Sequence, residues 1–509
     1  MNLRCIASFS LLFLLVPTTL LANVSLNNLF GDHMVLQQGI QNKVWGKADP
    51  GEKISVSIAG QSHATVAEKD GSWSVQLDAI MEYGGPHTLT VEGNNTQTFQ
   101  DVLIGEVWVC SGQSNMQWPV RQATDADLAI ATADLGQIRL ISVPQVGTQE
   151  PQWNFKGEWV VCSPENVGDF SAVGFFFGRQ LHQTLDVPVG LIDNAWGGSA
   201  CEAWIDRNLL SSDDKFKPLL DRWTKTESEM PEALKVYEKK MSLWKEASEK
   251  AKAEKKLPPR RPRHPDLLLT GNSRPGNIYC GVLAPTIGYG MKGTIWYQGE
   301  SNANGGTASV YEELLGCMVA DWRKRWGNEM SFYWVQLANF RAPTTTPGVE
   351  SDWVVVQDEM RRALKSIPKG GMAVINEIGA ANDIHPRNKL DVGKRLARWA
   401  LNQDYGKKDV VVSGPLYSGS EIKDGKIIVS FDHAVGLKSR DGKPLQRFEI
   451  AGADGKWDWA QATIENGKVI LSSNTVNDPK KARYAWATNP TGANLVNAEG
   501  LPTSCFTTE

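Results

Sequence analysis

The 509-residue sequence has no excess of basic residues and, after its first 22 residues, no long apolar run. Lysine and arginine number 53 against 57 aspartates and glutamates, a net charge of −4. This balance provides no basic surface for nucleic acid or for an anionic membrane. No later stretch approaches the roughly 18 apolar residues of a transmembrane helix. We therefore expect neither a nucleic-acid partner nor a membrane span in the mature chain, and composition makes no prediction of the oligomeric state.

Cysteine and histidine are also scarce, with seven of each. Neither occurs in a C-x-x-C or H-E-x-x-H pattern, and the scattered cysteines do not form a disulfide scaffold. We expect at most two disulfides among the six cysteines that follow Cys5, and neither a metal nor an organic cofactor. Tryptophan is abundant instead: its 19 residues outnumber phenylalanine (15) and tyrosine (10). Such rings either fill cores or stack on sugars.

Residues 1–22 have the composition of a targeting segment. A short polar start that contains Arg4 precedes an apolar run over residues 11–16, and small or apolar residues follow. This pattern is typical of a secretory signal peptide and is too short for a membrane span. The sequence therefore predicts export to the periplasm or the extracellular space, with a mature chain that starts near Asn23. A buried first strand is the less favoured alternative.

The two ends of the mature chain, residues 23–100 and 409–509, alternate apolar and polar residues between frequent turns. Residues 53–58 show this period-two pattern, which is typical of strands. In the second region four dipeptides indicate hairpins. They are Asp424-Gly425, Asp441-Gly442, Asp454-Gly455 and Asn466-Gly467. We predict a β-sandwich domain over 23–100 and a β domain over 409–509, which either brace a central domain or bind glycan.

Residues 101–408 contain apolar strands that alternate with helices. Residues 107–110, 189–193 and 293–297 are the clearest strands. Such alternation predicts an α/β domain with a parallel sheet, whose ligands bind at the carboxyl ends of the strands. A charged helical insertion over about 211–264 interrupts it. Its apolar stripe (Leu234, Tyr237, Met241 and Trp244) is expected to dock on the main domain, or alternatively to cover the substrate as a lid.

Four polar motifs follow predicted strands in the central region. They are Ser111-Gly112-Gln113-Ser114-Asn115, Trp196-Gly197-Gly198-Ser199, Tyr297-Gln298-Gly299-Glu300-Ser301-Asn302 and Asp383-Ile384-His385-Pro386. Each alone has a structural explanation: Ser114 could cap a helix, and a similar Gly60-Gln61-Ser62 occurs elsewhere. Together they provide a nucleophile, a base and an orienting acid, which favours an acyl-transfer hydrolase over a binding protein.

In this order the motifs, together with Glu202-Ala203-Trp204 and Arg387-Asn388-Lys389, resemble the sialate O-acetylesterase family of the SGNH hydrolases across about residues 101–401. The resemblance implies a three-layer α/β/α, flavodoxin-like SGNH domain between the flanking β segments. It also implies cofactor-free hydrolysis of O-acetyl esters of sialic acids.

The resemblance assigns roles to particular residues. Ser114 is implied to be the nucleophile, His385 the general base and Asp383 its orienting acid. The implied oxyanion donors are the N–H groups of Ser114 and Gly198 and the amide of Gln298, with the Asn302 amide as the alternative. The candidate substrate-binding residues are Gln113, Asn115, Trp196, Glu300 and Arg387.

Two positions depart from the family pattern. The superfamily usually places its aspartate three residues before the histidine, where this chain has Asn382, so a backbone carbonyl or Glu377 could hold His385 instead of Asp383. Tyr279-Cys280-Gly281 replaces a usual Tyr-Asn-Gly, which could change the sugar preference. An acetylxylan or other polysaccharide O-deacetylase is the alternative enzyme, and a glycan-binding surface protein without activity is the alternative of another class.

Overall fold

The structure is a computed structural model that describes residues 23–509. The predicted signal peptide, residues 1–22, lies outside the described residues. The protein is mixed α/β with several sheets. Its described cysteines are all unpaired: Cys110, Cys162, Cys201, Cys280, Cys317 and Cys505. Across residues 23–509 every helix is too short or too polar to span a membrane.

The N-terminal region is built from short strands. They are β1 (Ser25–Leu26), β2 (Val35–Gln37), β3 (Lys43–Lys47), β4 (Lys53–Ile58), β5 (Gln61–Val66), β6 (Ser72–Gln76), β7 (Gly84–Glu92) and β8 (Thr96–Gly112). As the alternation in β4 predicts, Ile54, Val56 and Ile58 are buried while the residues between them are not. Strands β1, β3 and β6 form one sheet, and β4, β5 and β7 join a second sheet through β8.

Strand β8 belongs to two regions of the molecule. Its first half pairs with β7 in the N-terminal region, and residues 106–112 lie between two strands of the central sheet. Within the first half, Asp101 has a φ angle of +53°, a left-handed conformation that aspartate tolerates better than most residues. The hydrophobic core of the N-terminal strands is continuous with that of the central region.

The central sheet contains β9 (Leu135–Ser142), β10 (Val160–Cys162), β11 (Val189–Asp193), β12 (Gly293–Tyr297), β13 (Ser331–Val335) and β14 (Gly370–Ala373). Its order is β10-β9-β11-β8-β12-β13-β14, and all neighbours except the β10–β9 pair run parallel. Every residue of β11, β12 and β13 is buried. This is expected for parallel strands that are covered on both faces.

Within residues 23–509, ten α-helices lie between and around these strands. They are α1 (Ser114–Gln117), α2 (Ala126–Ala131), α3 (Ala172–Leu185), α4 (Arg207–Ser211), α5 (Lys217–Ser228), α6 (Met230–Ala253), α7 (Asp266–Leu269), α8 (Tyr311–Trp326), α9 (Asp352–Ser366) and α10 (Lys389–Gln403). Adjacent residues of β13 point to opposite faces. Tyr333 stacks near Trp399 of α10, whereas the Trp334 indole donates to the Met360 carbonyl of α9. Helices therefore cover both faces of the sheet.

Helices α5 and α6 form the charged insertion. The stripe on α6 packs against the segment that returns from it: the Trp244 indole donates to the Pro259 carbonyl at 2.8 Å, and the Tyr237 and His264 rings lie 4.6 Å apart. These two contacts are within the insertion, which differs from the expected docking on the main domain. Tyr237 and Trp244 are covered because the chain folds back along its own helix, while Leu234 and Met241 are half-buried.

The C-terminal region contains ten short strands. They are β15 (Leu416–Lys423), β16 (Lys426–Asp432), β17 (Lys438–Ser439), β18 (Phe448–Ala451), β19 (Trp457–Trp459), β20 (Gln461–Glu465), β21 (Lys468–Ser472), β22 (Lys481–Tyr484), β23 (Leu495–Val496) and β24 (Phe506–Thr507). Two-residue hairpins at Asp424-Gly425 and Asn466-Gly467 are confirmed, and all four residues have positive φ. Asp454-Gly455 lies in a longer connection, and Asp441-Gly442 follows β17, whose partner is β23.

Candidate active site

Three of the four motifs meet at one edge of the central sheet. Strands β11, β8 and β12 are neighbours, run parallel and end at Asp193, Gly112 and Tyr297. The motifs that follow them therefore leave the sheet side by side. The fourth motif comes from the connection between β14 and α10, and the Ile384 carbonyl accepts a hydrogen bond from the Asn115 amide at 3.0 Å.

The turn after β8 presents Ser114 as the first residue of α1. Gly112 makes this turn possible: its φ is +129°, and a Cβ there would lie 2.3 Å from the Tyr297 carbonyl oxygen. A side chain at this position would be strained and would clash with backbone. The sharp change from strand to helix places the Ser114 hydroxyl at the sheet edge.

His385 meets Ser114 directly. The distance from His385 Nε2 to Ser114 Oγ is 2.8 Å, and the Trp118 ring stacks on the imidazole at 4.9 Å with an interplanar angle of 20°. Burial lowers the pKa of His385, Lys389 lowers it further, and Asp383 opposes both. The imidazole is therefore neutral at neutral pH and can accept the proton of the serine hydroxyl.

Asp383 is held beside His385 in an unexpected way. Its Oδ1 accepts the backbone N–H of His385 at 2.9 Å but lies 3.7 Å from the ring Nδ1. The carboxylate thus fixes the turn and acts on the ring through its charge. Glu377, the alternative acid, forms an ion pair with Arg395.

Ser114 and Gly198, the two predicted backbone donors, have no hydrogen-bond acceptor within the described part of the chain. The second motif places Gly198 in an exposed turn with φ +75°, and the neighbouring Gly197 N–H donates to Gln117 Oε1 at 2.8 Å. Among the hydrogen bonds of residues 23–509, none uses the N–H of Ser114 or of Gly198. These groups can therefore donate to a ligand oxygen.

The structure places Gln298 and Asn302 away from that role. The Gln298 amide donates to the Ser199 carbonyl at 3.0 Å and to Asn302 Oδ1 at 2.7 Å. The Asn302 amide donates to Glu202 and to Thr307, each at 2.9 Å. Because both hydrogens of each buried amide are already donated within the protein, neither serves as an oxyanion donor in this arrangement, contrary to the expectation.

Three of the five candidate substrate-binding side chains are also engaged inside the protein. Gln113 Oε1 accepts the N–H groups of Gly299 and Ser301, and the Asn115 amide donates to Glu300 Oε1 at 2.6 Å. The side chains of Gln113, Asn115 and Glu300 are buried and hold the motifs together instead of facing a ligand. Of the other two candidates, Trp196 is half-buried and Arg387 is exposed.

A cleft of about 610 Å³ opens at this edge. Its lining includes Ser114, His385, Trp118, Arg121, Gln145 and Asp193. The last four were not among the predicted site residues, although a carboxylate that ends the apolar strand β11 is a signal that could have identified Asp193. A larger cleft of about 760 Å³ beside Trp153 contains none of the predicted site residues.

The described residues also define what the site can hold. Across residues 23–509 no group of three or more His, Cys, Asp or Glu side chains is placed to bind a metal ion. The site consists of a serine hydroxyl, a neutral imidazole and two unused backbone donors. This set is suited to attack on a carbonyl carbon.

Comparison with known proteins extends these observations. No family model matches the chain. The sialate O-acetylesterase of Mus musculus is 28% identical over 510 residues, which cover 90% of this chain and 88% of that protein. The Homo sapiens sialate O-acetylesterase is 27% identical over 500 residues, which cover 90% and 86%. The crystal structure of a carbohydrate acetylesterase from Xanthomonas citri matches with a TM-score of 0.80 and 35% identity, over 96% of this chain and 100% of that one.

Proposed function

Because the chain belongs to the sialate O-acetylesterase family of carbohydrate esterases, we propose that it hydrolyses O-acetyl esters of sialic acids through a Ser114 acyl-enzyme. The observation that carries the proposal is the 2.8 Å contact between Ser114 Oγ and His385 Nε2 at the edge of the parallel sheet. A hydroxyl within hydrogen-bond reach of a neutral imidazole is the arrangement that activates a serine nucleophile.

The first half of the reaction forms the acetyl-enzyme. His385 Nε2 takes the hydroxyl proton while Ser114 Oγ attacks the acetyl carbonyl carbon. The N–H groups of Ser114 and Gly198 donate to the oxyanion of the tetrahedral intermediate. When this intermediate collapses, the bond to the sugar oxygen breaks, and the sugar alcohol leaves with the proton from His385.

The second half returns the enzyme to its starting state. Water takes the place of the sugar alcohol and gives a proton to His385 as it attacks the acetyl carbon. The second tetrahedral intermediate releases acetic acid when Ser114 Oγ regains its proton. Asp383, 3.7 Å from Nδ1, stabilises the imidazolium by its charge during both halves, although without a direct hydrogen bond to the ring.

We also propose a domain architecture and a cellular location for the protein. The central sheet and the helices on its two faces are assigned to a three-layer SGNH domain over 101–408, with β domains over 23–100 and 409–509. Residues 1–22 are assigned to a signal peptide that directs the enzyme to the periplasm or the extracellular space. The parallel order of the three motif-bearing strands, with helices on both faces of the sheet, supports the fold assignment.

The catalytic assignment is tested by Ser114→Ala. We expect this variant to lose release of 4-nitrophenol from 4-nitrophenyl acetate by at least about a thousandfold, since the nucleophile is absent. The matched control is Ser62→Ala, which changes the exposed serine of the second Gly-Gln-Ser tripeptide, in β5. Wild-type activity in Ser114→Ala, or an equal loss in Ser62→Ala, would refute the assignment.

The substrate assignment needs a separate comparison. Acetate release from O-acetylated sialic acid is measured beside release from acetylated xylan. We expect the higher kcat/KM on the sialic acid. A higher value on xylan identifies a polysaccharide deacetylase, and no activity on either ester or on 4-nitrophenyl acetate identifies a glycan-binding protein.

A further inference from the structure

Lys389 is a buried cation in an unfavourable place. It is the first residue of α10, and its side chain is completely buried. The N-terminus of a helix carries partial positive charge, and burial of an ammonium group is costly. A lysine at this position therefore needs specific partners, and the sequence places it four residues after His385.

The partners of Lys389 are parts of the other site motifs. Its Nζ donates to Asn115 Oδ1 and lies 5.3 Å from the Tyr297 ring centroid and 5.8 Å from that of Trp118. Glu300 provides the opposite charge. The ammonium group thus contacts side chains that follow β8 and β12, next to the stacked Trp118 and His385 rings.

Asn115 connects these contacts to the catalytic pair. Its Oδ1 accepts from Lys389, while its amide nitrogen donates to Glu300 Oε1 at 2.6 Å and to the Ile384 carbonyl at 3.0 Å. Asn115 follows Ser114, and Ile384 precedes His385. One side chain therefore joins the nucleophile turn to the histidine loop, and its orientation is fixed by the lysine on one end and the glutamate on the other.

Resting on the proposed function, we infer that Lys389 is a positioning residue for the esterase: through Asn115 and Glu300 it holds the His385 loop against the Ser114 turn. Its role is exerted through other residues, because the side chain is closed off from the cleft. This assigns a purpose to a buried charge that the acyl-enzyme mechanism does not itself use.

The charge of Lys389 also acts on His385, and the sign of this effect is defined. The groups that act on His385 are Lys389, which disfavours the imidazolium, and Asp383, which favours it; Ser114 and the Trp118 ring are its other neighbours. Glu300, Asp383 and the Tyr297 ring surround Lys389. Removal of the lysine charge must therefore raise the pKa of His385 and move the acid limb of the kcat/KM profile to higher pH.

The experiment compares Lys389→Met with the double variant Lys389→Met/Glu300→Gln, which removes both buried charges together. The matched control is Lys394→Met, an exposed lysine on the same helix. Thermal unfolding, kcat, KM and the pH profile are measured with 4-nitrophenyl acetate. In both Lys389 variants the inference predicts that kcat falls at least about tenfold while KM stays within about twofold of wild type. Small displacements of reacting groups are costly in rate. The acid limb moves up by roughly half a pH unit or more, and Lys394→Met changes neither.

The outcomes separate the inference from the proposed function. If the wild-type protein is inactive, or if Ser114→Ala is active, the proposed function fails. If the wild type is active, an unchanged kcat or an unmoved acid limb in a folded Lys389 variant overturns the inference. If neither Lys389 variant folds while Lys394→Met does, Lys389 serves stability alone, and the inference is likewise overturned.

Discussion

At the scale of single residues, Asp193 combines burial with a place in the cleft. It ends β11, its side chain is nearly inaccessible, and its Oδ1 accepts the Ala195 N–H at 3.0 Å. Burial raises the pKa of Asp193 to about 7 from an ordinary value of 3.8. Between these two pH values the folded protein holds a proton that the unfolded chain has released. The stability that this proton provides is complete below about pH 4 and is lost as the pH rises through 7.

Asp193→Asn should remove this pH dependence. An amide keeps an acceptor for the Ala195 N–H and carries no charge at any pH. We expect the free energy of unfolding to rise by about 1 to 3 kcal/mol at pH 8 and to change little at pH 4. Chemical denaturation at the two pH values measures this difference.

The control for this comparison is Asp409→Asn, at an exposed turn after α10, which should leave stability unchanged at both pH values. Equal stabilities of wild type and Asp193→Asn at pH 8 would contradict the expected sign.

Sequence alone predicted which residues lie together at the strand ends, and it did not predict the directions of their side chains. Ser114 and His385 follow from a nucleophile and a base at strand ends, and the structure brings them together. The Gln298 amide lies on the same kind of loop but points into a buried network with Ser199 and Asn302. A motif gives the residue type and the strand end, whereas the direction of a side chain depends on packing from distant segments.

At the scale of elements, the strand–turn–helix unit of β8 and α1 depends on one glycine. A Cβ at Gly112 would approach the Tyr297 carbonyl to 2.3 Å, at a φ of +129°. We expect Gly112→Ala to lower kcat by at least about a hundredfold, because the turn must shift and carry Ser114 with it. Kinetics with 4-nitrophenyl acetate, together with thermal unfolding, measure this loss.

Gly60→Ala provides a comparison, since its φ is also positive but a Cβ there would meet nothing within 4 Å. It should lose some stability and no activity. Equal activities of the two variants would show that the turn after β8 tolerates a side chain.

The α5–α6 insertion is an element whose return segment covers Tyr237 and Trp244 of its apolar stripe. Replacement of residues 232–262 by a short Gly-Ser linker should therefore leave kcat within about twofold and the melting temperature within about 4 °C. A lid would instead show an increase in KM for the acetylated sugar with no change for 4-nitrophenyl acetate. The two substrates are measured on the same deletion variant.

The boundaries of elements were predicted well where local chemistry sets them. Asp424-Gly425 and Asn466-Gly467 form the expected hairpins because positive φ at both residues is a local requirement. The change of pattern near residue 100 predicts the end of a domain. In the structure it coincides with the left-handed Asp101 inside the continuous strand β8, and pairing of that strand with two different regions is not visible in any local window.

At the scale of the whole molecule, the C-terminal strands are attached to the central region through buried contacts. The Gln336 amide donates to Ser504 Oγ at 2.7 Å, and the Asn376 amide donates to the Thr503 carbonyl at 2.9 Å. Val354 of α9 lies in the same buried cluster as the C-terminal strands. The last residues of the chain therefore complete the packing around the central sheet.

A chain that stops after Lys408 should not retain the native fold. Loss of residues 409–509 exposes the apolar side of α9 and removes the partners of two buried amides. We therefore expect the cooperative thermal transition and the esterase activity to disappear together. The matched control is the deletion of the insertion described above, because it removes most of helix α6 without opening this core. A truncated chain with a wild-type melting temperature would show that the C-terminal strands are an independent appendage.

The shared strand β8 also constrains how such a protein can arise by recombination. A crossover placed at the compositional boundary near residue 100 would cut one 17-residue strand in two and would have to restore its register on both sides. A gain or loss of one residue there reverses the inward and outward faces up to Gly112. We therefore expect the N-terminal strands and the Ser114 turn to be inherited together, with strand length preserved across this junction even where homologous sequences diverge.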